Sequence, residues 1–212
     1  MNIKDWNRNK LFYAAVIFHR FEYIQMYYSE LSEYINSQLI SINGIIDQLN
    51  QGDEGIKERY IDEYADDYYR IKKVLEDNFN KSILMSLYSL IENSLIFICE
   101  KVDTELNINK FEKPKSAIVK NSQIFLEKYL DIKLSKDSKQ FIYGINIVRN
   151  IYVHNNGHLN NIENEKIIDI DNFSKYNGVS GLSIDNKEII ITLEFIDYCI
   201  KKSKEYFREI LI

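Results

Sequence analysis

The most apolar stretch of this 212-residue chain is ILMSLYSLIENSLIFIC, at residues 83–99. Its helical spacing predicts a buried helix with one face formed by Ile83, Leu87, Leu90, Ser94, Ile98 and Val102. Glu92 and Asn93 interrupt the stretch, so it falls short of the eighteen apolar residues typical of a membrane-spanning helix. An acidic side chain at the centre of such a helix costs free energy unless it is paired. We expect Glu92 to contact either Arg149 or a lysine.

The N-terminal quarter predicts another helix, over about residues 10–50. Its apolar seam alternates spacings of three and four residues through Ala14, Ile17, Phe21, Ile24, Tyr28, Leu31, Ile35, Gln38, Ile42, Ile45 and Leu49. Such a helix would be roughly 60 Å long, which exceeds a compact domain. We therefore expect a break near Asn43-Gly44 or a projecting arm. The seam is interpreted as a bundle helix packing on its neighbours, with a coiled coil as the alternative.

Other local signals divide the rest of the chain. Gln51-Gly52-Asp53-Glu54-Gly55 predicts a turn, and a helical pattern over residues 61–75 is expected to pause at Asp77-Asn78-Phe79-Asn80, where N-cap residue types cluster. We further predict a loop at 107–115 and a helix at 116–130 with Ile124, Phe125 and Tyr129 inward. The next helix is expected to run from Asp137-Ser138 to Asn155, followed by an Asn-rich loop. A β-hairpin at 179–191 and a last helix capped by Thr192 complete the chain.

Composition indicates one globular domain, because 45% of the residues are apolar and 28% are charged. One Pro and seven Gly argue against a turn-rich β fold. We predict a mostly all-α, up-and-down helical bundle over 1–212, with a long N-terminal helix and a small β-hairpin before the last helix. Residues 80–212 form its motif-bearing core, and residues 1–79 have no assigned role. The two cysteines, Cys99 and Cys199, are far apart in sequence, which indicates buried thiols in a reducing compartment. We therefore expect a soluble, cytoplasmic protein, and we expect no membrane span.

Charge is unevenly distributed in a chain whose net charge is −5. Residues 110–139 contain eight lysines and four acids, whereas residues 53–77 contain nine acids and five bases. The basic stretch could hold phosphate groups, or it could be a solvated helix face.

The segment that suggests chemistry is IVRNIYVHNNG, at residues 147–157. On a helix, Asn146, Asn150 and His154 share one face, and the long side chain of Arg149 can lean toward them. Gly157 is a natural left-handed stop for that helix. His exchanges protons near neutral pH and Arg stabilises extra negative charge on phosphate, a combination suited to phosphodiester cleavage. No cluster with metal-ligand spacing accompanies them, so we expect neither metal nor cofactor. A His at the negative end of a helix dipole is the structural alternative.

Arg149-Asn150-x-x-x-His154 at a helix end resembles the signature of the HEPN (higher eukaryotes and prokaryotes nucleotide-binding) superfamily. The resemblance extends loosely to the helix at 82–101 with its inward Glu92 and to the hairpin and last helix, and thus covers about residues 80–212. It implies an α-helical homodimer whose two motifs face each other, and a metal-independent endoribonuclease in which the ribose 2′-hydroxyl attacks the neighbouring phosphate. His154 would then be the general acid and base, Arg149 the phosphate clamp and Asn150 the positioning group.

The same resemblance implies an RNA substrate and a toxin or anti-phage role, with an antitoxin or sensor chain as a possible partner. Asn156 stands where some antitoxin-paired members have Tyr, which argues against that mode of silencing. We expect Asn146, Asn155, Asn156, His158 and Glu92 to bind substrate; a simply exposed loop position is the alternative for His158. Two other functions stay open: a non-catalytic HEPN-like nucleotide-binding or interaction module, and a helical scaffold that recruits a partner through the N-terminal seam.

Overall fold

The computed structural model describes residues 3–50, 54–160, 162–176 and 178–212. These residues form a mostly helical bundle with one small β-hairpin, as predicted. The helices are α1 (Ile3–Asn50), α2 (Glu54–Tyr69), α3 (Glu76–Glu105), α4 (Ile118–Leu130), α5 (Lys136–Asn155), α6 (Asn164–Ser174) and α7 (Leu193–Leu211). A π-helical segment, Arg70–Leu75, joins α2 to α3, and the strands are β1 (Leu182–Asp185) and β2 (Glu188–Ile191).

Helix α3, which contains the apolar stretch at 83–99, is the centre of the bundle. It packs against α1, α4, α5, α7 and β2. Its side chains are buried on more than one face because neighbours surround it, and they include Ile83, Leu84, Leu87, Ile91, Leu95, Ile98, Cys99 and Val102. Helices α1, α4, α5 and α7 are therefore positioned by their packing on α3, whereas α2 is not.

Helix α1 is unbroken for 48 residues, so the break predicted near Asn43-Gly44 is wrong. Helix α2 packs on α1 and on the π segment that continues it, and no other described element is a major neighbour of α2. The two helices thus form a hairpin in which α2 lacks close packing with α4, α5 and α7, as the alternative of a projecting arm expects. The α1 seam is buried within the chain, where Ile17, Phe21 and Ile35 are almost inaccessible to solvent. The scaffold function needs this seam as a binding surface for a partner, but the rest of the chain already covers these residues of the seam.

The pause predicted at Asp77-Asn78-Phe79-Asn80 is also wrong, because the helix continues through it. Phe79 and Asn80 are buried there, and the Asn80 side-chain amide donates to the Ile191 carbonyl at 3.3 Å. Residue types that favour an N-cap thus lie inside a helix here, because tertiary packing buries this segment. The irregular part is the preceding π segment. Of the turn predicted at 51–55, residues 51–53 lie outside the described part of the chain.

The loop predicted between α5 and the hairpin contains a helix, α6, that the sequence interpretation missed. It packs on α5 and β1 through Ile170 and Phe173. Gly144 makes this packing possible, because a Cβ at that position would lie 2.3 Å from Cδ2 of the Phe173 ring.

The hairpin and last helix agree with their predictions. Asn186 and Lys187 form the turn with positive φ angles, and Phe195, Ile196 and Cys199 of α7 are buried. Thr192 does occupy the N-cap position, although its hydroxyl donates to Glu194 and makes no capping hydrogen bond. In α4, the prediction that Ile124 points inward is wrong; Val119, Ser122 and Leu126 are the buried residues there.

Within the described residues, one helix, Asp62–Glu105, is long and apolar enough to cross a membrane. In its most apolar window, 56% is buried inside the fold, as in the core helix of a water-soluble protein. Both cysteines are buried free thiols, as expected.

The Gly144–Phe173 contact gives a test of how α6 is held. Gly144→Ala should lower the free energy of unfolding by about 1–3 kcal/mol through overpacking. This loss exceeds the gain of up to about 1 kcal/mol that Ala brings to a helix. Gly44→Ala is the matched control, because a Cβ there meets nothing within 4 Å, and it should be neutral or stabilising. Thermal unfolding followed by circular dichroism measures both; equal melting temperatures for the two variants would contradict this packing.

Candidate functional site

Helix α5 presents the motif residues, and both of its ends are fixed. At its start, the Ser135 hydroxyl caps the helix by accepting from the Ser138 amide at 3.1 Å, and Glu209 accepts from both serine hydroxyls. At its end, Asn156 adopts the left-handed conformation that the sequence assigned to Gly157, and Gly157 also has a positive φ. Because Phe141, Ile145, Val148 and Ile151 bury the opposite face, the polar face of α5 is held rigidly.

A connected row of polar groups runs along that face. The Asn150 side-chain amide donates to Asn146 Oδ1 at 3.2 Å, and Arg149 Nη1 donates to Asn150 Oδ1 at 2.9 Å. The predicted alignment thus holds for the two asparagines, and Arg149 leans toward them, whereas His154, the third residue of the predicted face, makes no hydrogen bond to this row. Tyr88 of α3 completes the row, since its hydroxyl donates to Asn146 Oδ1 at 2.9 Å and its ring lies 5.5 Å from the Arg149 guanidinium carbon. These contacts fix the direction of Arg149.

Glu92 lies one helical turn beyond Tyr88, in the same region. Burial raises the pKa of its carboxyl above the ordinary value, and the positive charge of Arg149 opposes that rise. The expected contact of Glu92 with Arg149 or a lysine is therefore wrong: Glu92 makes neither an ion pair nor a hydrogen bond with any described side chain, and Arg149 acts on it only through its charge. Burial, together with the negative charge of Glu92, raises the pKa of Tyr88 to about 12, so its hydroxyl stays protonated and available as a donor.

These groups line a cavity of about 580 Å³ between α3, α4 and α5. This volume lies in the range of small-molecule sites. The basic stretch at 110–139 supplies Lys120 and Lys139 to its wall, and α5 supplies the half-exposed Tyr143. Lys139 pairs with Glu127 at 2.9 Å, whereas no ion pair to a described residue engages Lys120. The described acids of the acidic stretch lie in α2 and in the first turn of α3, and α2 does not pack closely on α4 or α5.

His154 occupies the last turn of α5, outside this cavity. Its side chain is exposed and has no hydrogen bond to a described residue. Within one chain, the structure therefore groups Arg149, Asn150, Asn146 and Glu92 and leaves His154 apart. Arg149 leans back toward Asn150 and Tyr88, whereas His154 lies eight residues, or about 12 Å along the helix axis, beyond Asn146.

The three remaining predicted residues lie at the helix end, which is Asn155, or just beyond it. Asn155 donates to the Asn160 carbonyl at 3.5 Å, and the exposed Asn156 lines a second cavity beside β2. His158 pairs with Glu188 at 2.9 Å and forms a β-bridge with it, so it is tied to the hairpin and is not free in a loop. None of the three lines the cavity that contains Arg149.

The sequence interpretation missed four residues of this cavity as site residues: Tyr88, Lys120, Lys139 and Tyr143. Tyr88 could have been found from its spacing of four before Glu92, which places both on one side of α3. The two lysines belong to the basic stretch at 110–139, but the sequence does not distinguish them from the other lysines of that stretch.

No protein-family model, no curated protein and no solved structure matches this chain. In the described part of the chain, no group of three or more His, Cys, Asp and Glu residues is arranged to hold a metal ion.

The raised pKa of Glu92 predicts a pH-dependent stability. A carboxyl whose pKa is higher in the folded state binds more protons there, so stability falls as pH rises between the unfolded and folded pKa values. We expect Glu92→Gln to melt at a higher temperature than wild type near pH 7, with the difference shrinking toward about pH 4. Thermal unfolding across this range tests it. Glu100→Gln, which removes an exposed charge from the same helix, corrects for net charge; a pH-independent difference would contradict the prediction.

Proposed function

We propose that this protein is a metal-independent endoribonuclease of the HEPN type. One observation carries the proposal: near the end of a rigid helix, a hydrogen bond to Asn150 and the Tyr88 ring fix Arg149 beside a cavity lined by two lysines, and an exposed histidine follows within two turns. An oriented guanidinium is suited to bind phosphate, and a solvent-accessible imidazole is suited to move protons.

The proposed reaction is an internal transfer at phosphorus. The ribose 2′-oxygen forms a bond to the neighbouring phosphorus, and the bond from phosphorus to the 5′-oxygen of the next nucleotide breaks. His154 takes the proton of the 2′-hydroxyl or supplies one to the departing 5′-oxygen. Arg149 offsets the additional negative charge that develops on the phosphate oxygens. Asn150 holds Arg149 in position, and the products are a 2′,3′-cyclic phosphate and a free 5′-hydroxyl.

The separation of Arg149 and His154 within one chain supports a site assembled from two copies. The polar face of α5 also exposes apolar side chains, with Tyr143 52% and Val153 47% accessible to solvent. A second copy packed against this face would cover them and bring His154 of one chain toward Arg149 of the other. We therefore propose a homodimer with a composite cleft, which acts on RNA in the cytoplasm as a toxin or anti-phage effector, under the control of an antitoxin or sensor chain.

A non-catalytic module is the second candidate, and a specific observation favours it. Catalytic histidines are usually oriented by a hydrogen bond to the second ring nitrogen. His154 has no such bond to a described residue, whereas the groups around the cavity are well connected. A protein that binds a nucleotide or partner through this cavity alone would have this arrangement.

The decisive experiment incubates end-labelled RNA with purified protein in EDTA. We expect wild type to cut and to leave cyclic phosphate ends, and Arg149→Ala and His154→Ala each to lose about a hundredfold or more in rate, as is typical for a general acid–base or charge-stabilising group. His19→Ala, an exposed histidine on α1, is the matched control and should keep full activity. Equal cutting by all variants would place the activity elsewhere, and a folded wild type that does not cut would favour the non-catalytic module.

A complementation experiment tests the composite cleft. Two inactive variants, Arg149→Ala and His154→Ala, are co-expressed with different affinity tags and purified as a mixed dimer. If His154 of one chain acts with Arg149 of the other, the mixed dimer regains a measurable part of the wild-type rate, while each variant alone stays inactive. A mixed dimer as inactive as its parents would show that both residues must come from the same chain.

A further inference from the structure

The cavity between α3, α4 and α5 combines two opposite chemistries. Positive groups, Arg149 and Lys120, lie on its wall together with an acidic group, Glu92, and the half-exposed aromatic residue Tyr143. A ligand that matched all of them would carry an anionic end, a flat apolar body and an edge of hydrogen-bond donors. A nucleotide has all three parts, and its size suits a volume of about 580 Å³.

Glu92 is the informative group, because its carboxylate faces this cavity without a hydrogen bond or ion pair to a described side chain. A half-buried carboxylate without donors costs free energy, and a ligand that donates to it recovers that cost. An ionised carboxylate only accepts hydrogen bonds, and it accepts them best as a pair, one at each oxygen.

The four bases of RNA differ in what they can offer such a group. Guanine presents two adjacent donors on one edge, the N1–H and the N2 amino group, which match the two oxygens of a carboxylate. Adenine and cytosine present one amino group beside a ring nitrogen that accepts, and uracil presents one N–H between two carbonyls. These acceptors would face the carboxylate and repel it. Single-stranded bases are read on this edge by proteins that also stack them on aromatic or guanidinium planes.

We propose that the cavity binds one nucleotide of the RNA substrate and that Glu92 selects guanine. In this arrangement Glu92 accepts from N1–H and N2–H of the base, while Lys120 and Arg149 bind the adjacent phosphate. The half-exposed Tyr143 supplies aromatic surface for the base. The assignment of the nucleotide to RNA rests on the proposed function, but the guanine preference of the cavity does not.

The test measures mononucleotide binding by isothermal titration calorimetry. We expect wild type to bind GMP about tenfold or more tightly than AMP, CMP or UMP, the discrimination typical of a bidentate contact to a base edge. Inosine monophosphate, which keeps N1–H and lacks the N2 amino group, should bind with intermediate affinity. Glu92→Gln should lose the preference for GMP over AMP, whereas Glu100→Gln, on the exposed side of the same helix, should keep it.

The ratio of affinities is the readout, because removing the negative charge of Glu92 changes the binding of every phosphate-bearing ligand. Equal binding of the four nucleotides, an unchanged GMP preference in Glu92→Gln, or no binding of any nucleotide would each overturn the inference. RNA cleavage is measured separately, so the two proposals fail independently. GMP selectivity without RNA cleavage removes the proposed function and leaves the cavity assignment, whereas cleavage without preference for G does the reverse.

Discussion

The burial of α3 sets the arrangement of the whole molecule. Because four helices and a strand pack around it, most side chains between Ile83 and Val102 are buried and apolar, and a polar one must lie on the exposed side or in a gap between neighbours. Glu92 occupies such a gap, the cavity that α3 forms with α4 and α5. A charged group at the middle of the central helix is therefore compatible with the fold only because an opening exists beside it. The same opening makes that group accessible to a ligand.

The cavity wall shows how stability and function are balanced in this region. Tyr88, Asn146, Asn150 and Arg149 satisfy one another, so they can be held in place within the protein. Glu92 is left with an electrostatic partner only, and its raised pKa reflects the resulting cost. Natural proteins retain unfavourable polar groups of this kind mainly at sites that bind or react. The connected residues define the direction of the guanidinium, and the unconnected carboxylate is free to recognise something else.

The end of α5 is organised differently from its middle. Asn156 and Gly157 reverse the chain, the Tyr152 hydroxyl donates to the Ile189 carbonyl at 2.6 Å, and His158 pairs with Glu188. These contacts attach the hairpin to the helix end and leave His154 as the exposed group of the last turn. A histidine there also benefits from the helix dipole, which favours positive charge at a C-terminus. Its placement is thus consistent with a stabilising role as well as with the proton transfer that we propose.

Local sequence signals determined most of the helices, the hairpin and the position of the motif at a helix end. These signals are the periodic apolar residues, the turn residues of the hairpin and the Asn-Asn-Gly helix end. Each acts on neighbours only a few residues away in sequence, so it can be recognised without knowing the fold. They failed at Asn80, which the hairpin buries, and at α6, which depends on the space left by Gly144.

Tertiary structure alone decided the composition of the site. It brought Lys120 and Lys139 to the wall beside Arg149, directed Glu92 into the same cavity and left His154 outside it. No spacing along the chain encodes these outcomes, because each depends on which faces of α3, α4 and α5 meet. The physical reason is that secondary structure follows from neighbours in sequence, whereas a cavity follows from the packing of side chains that are distant in sequence.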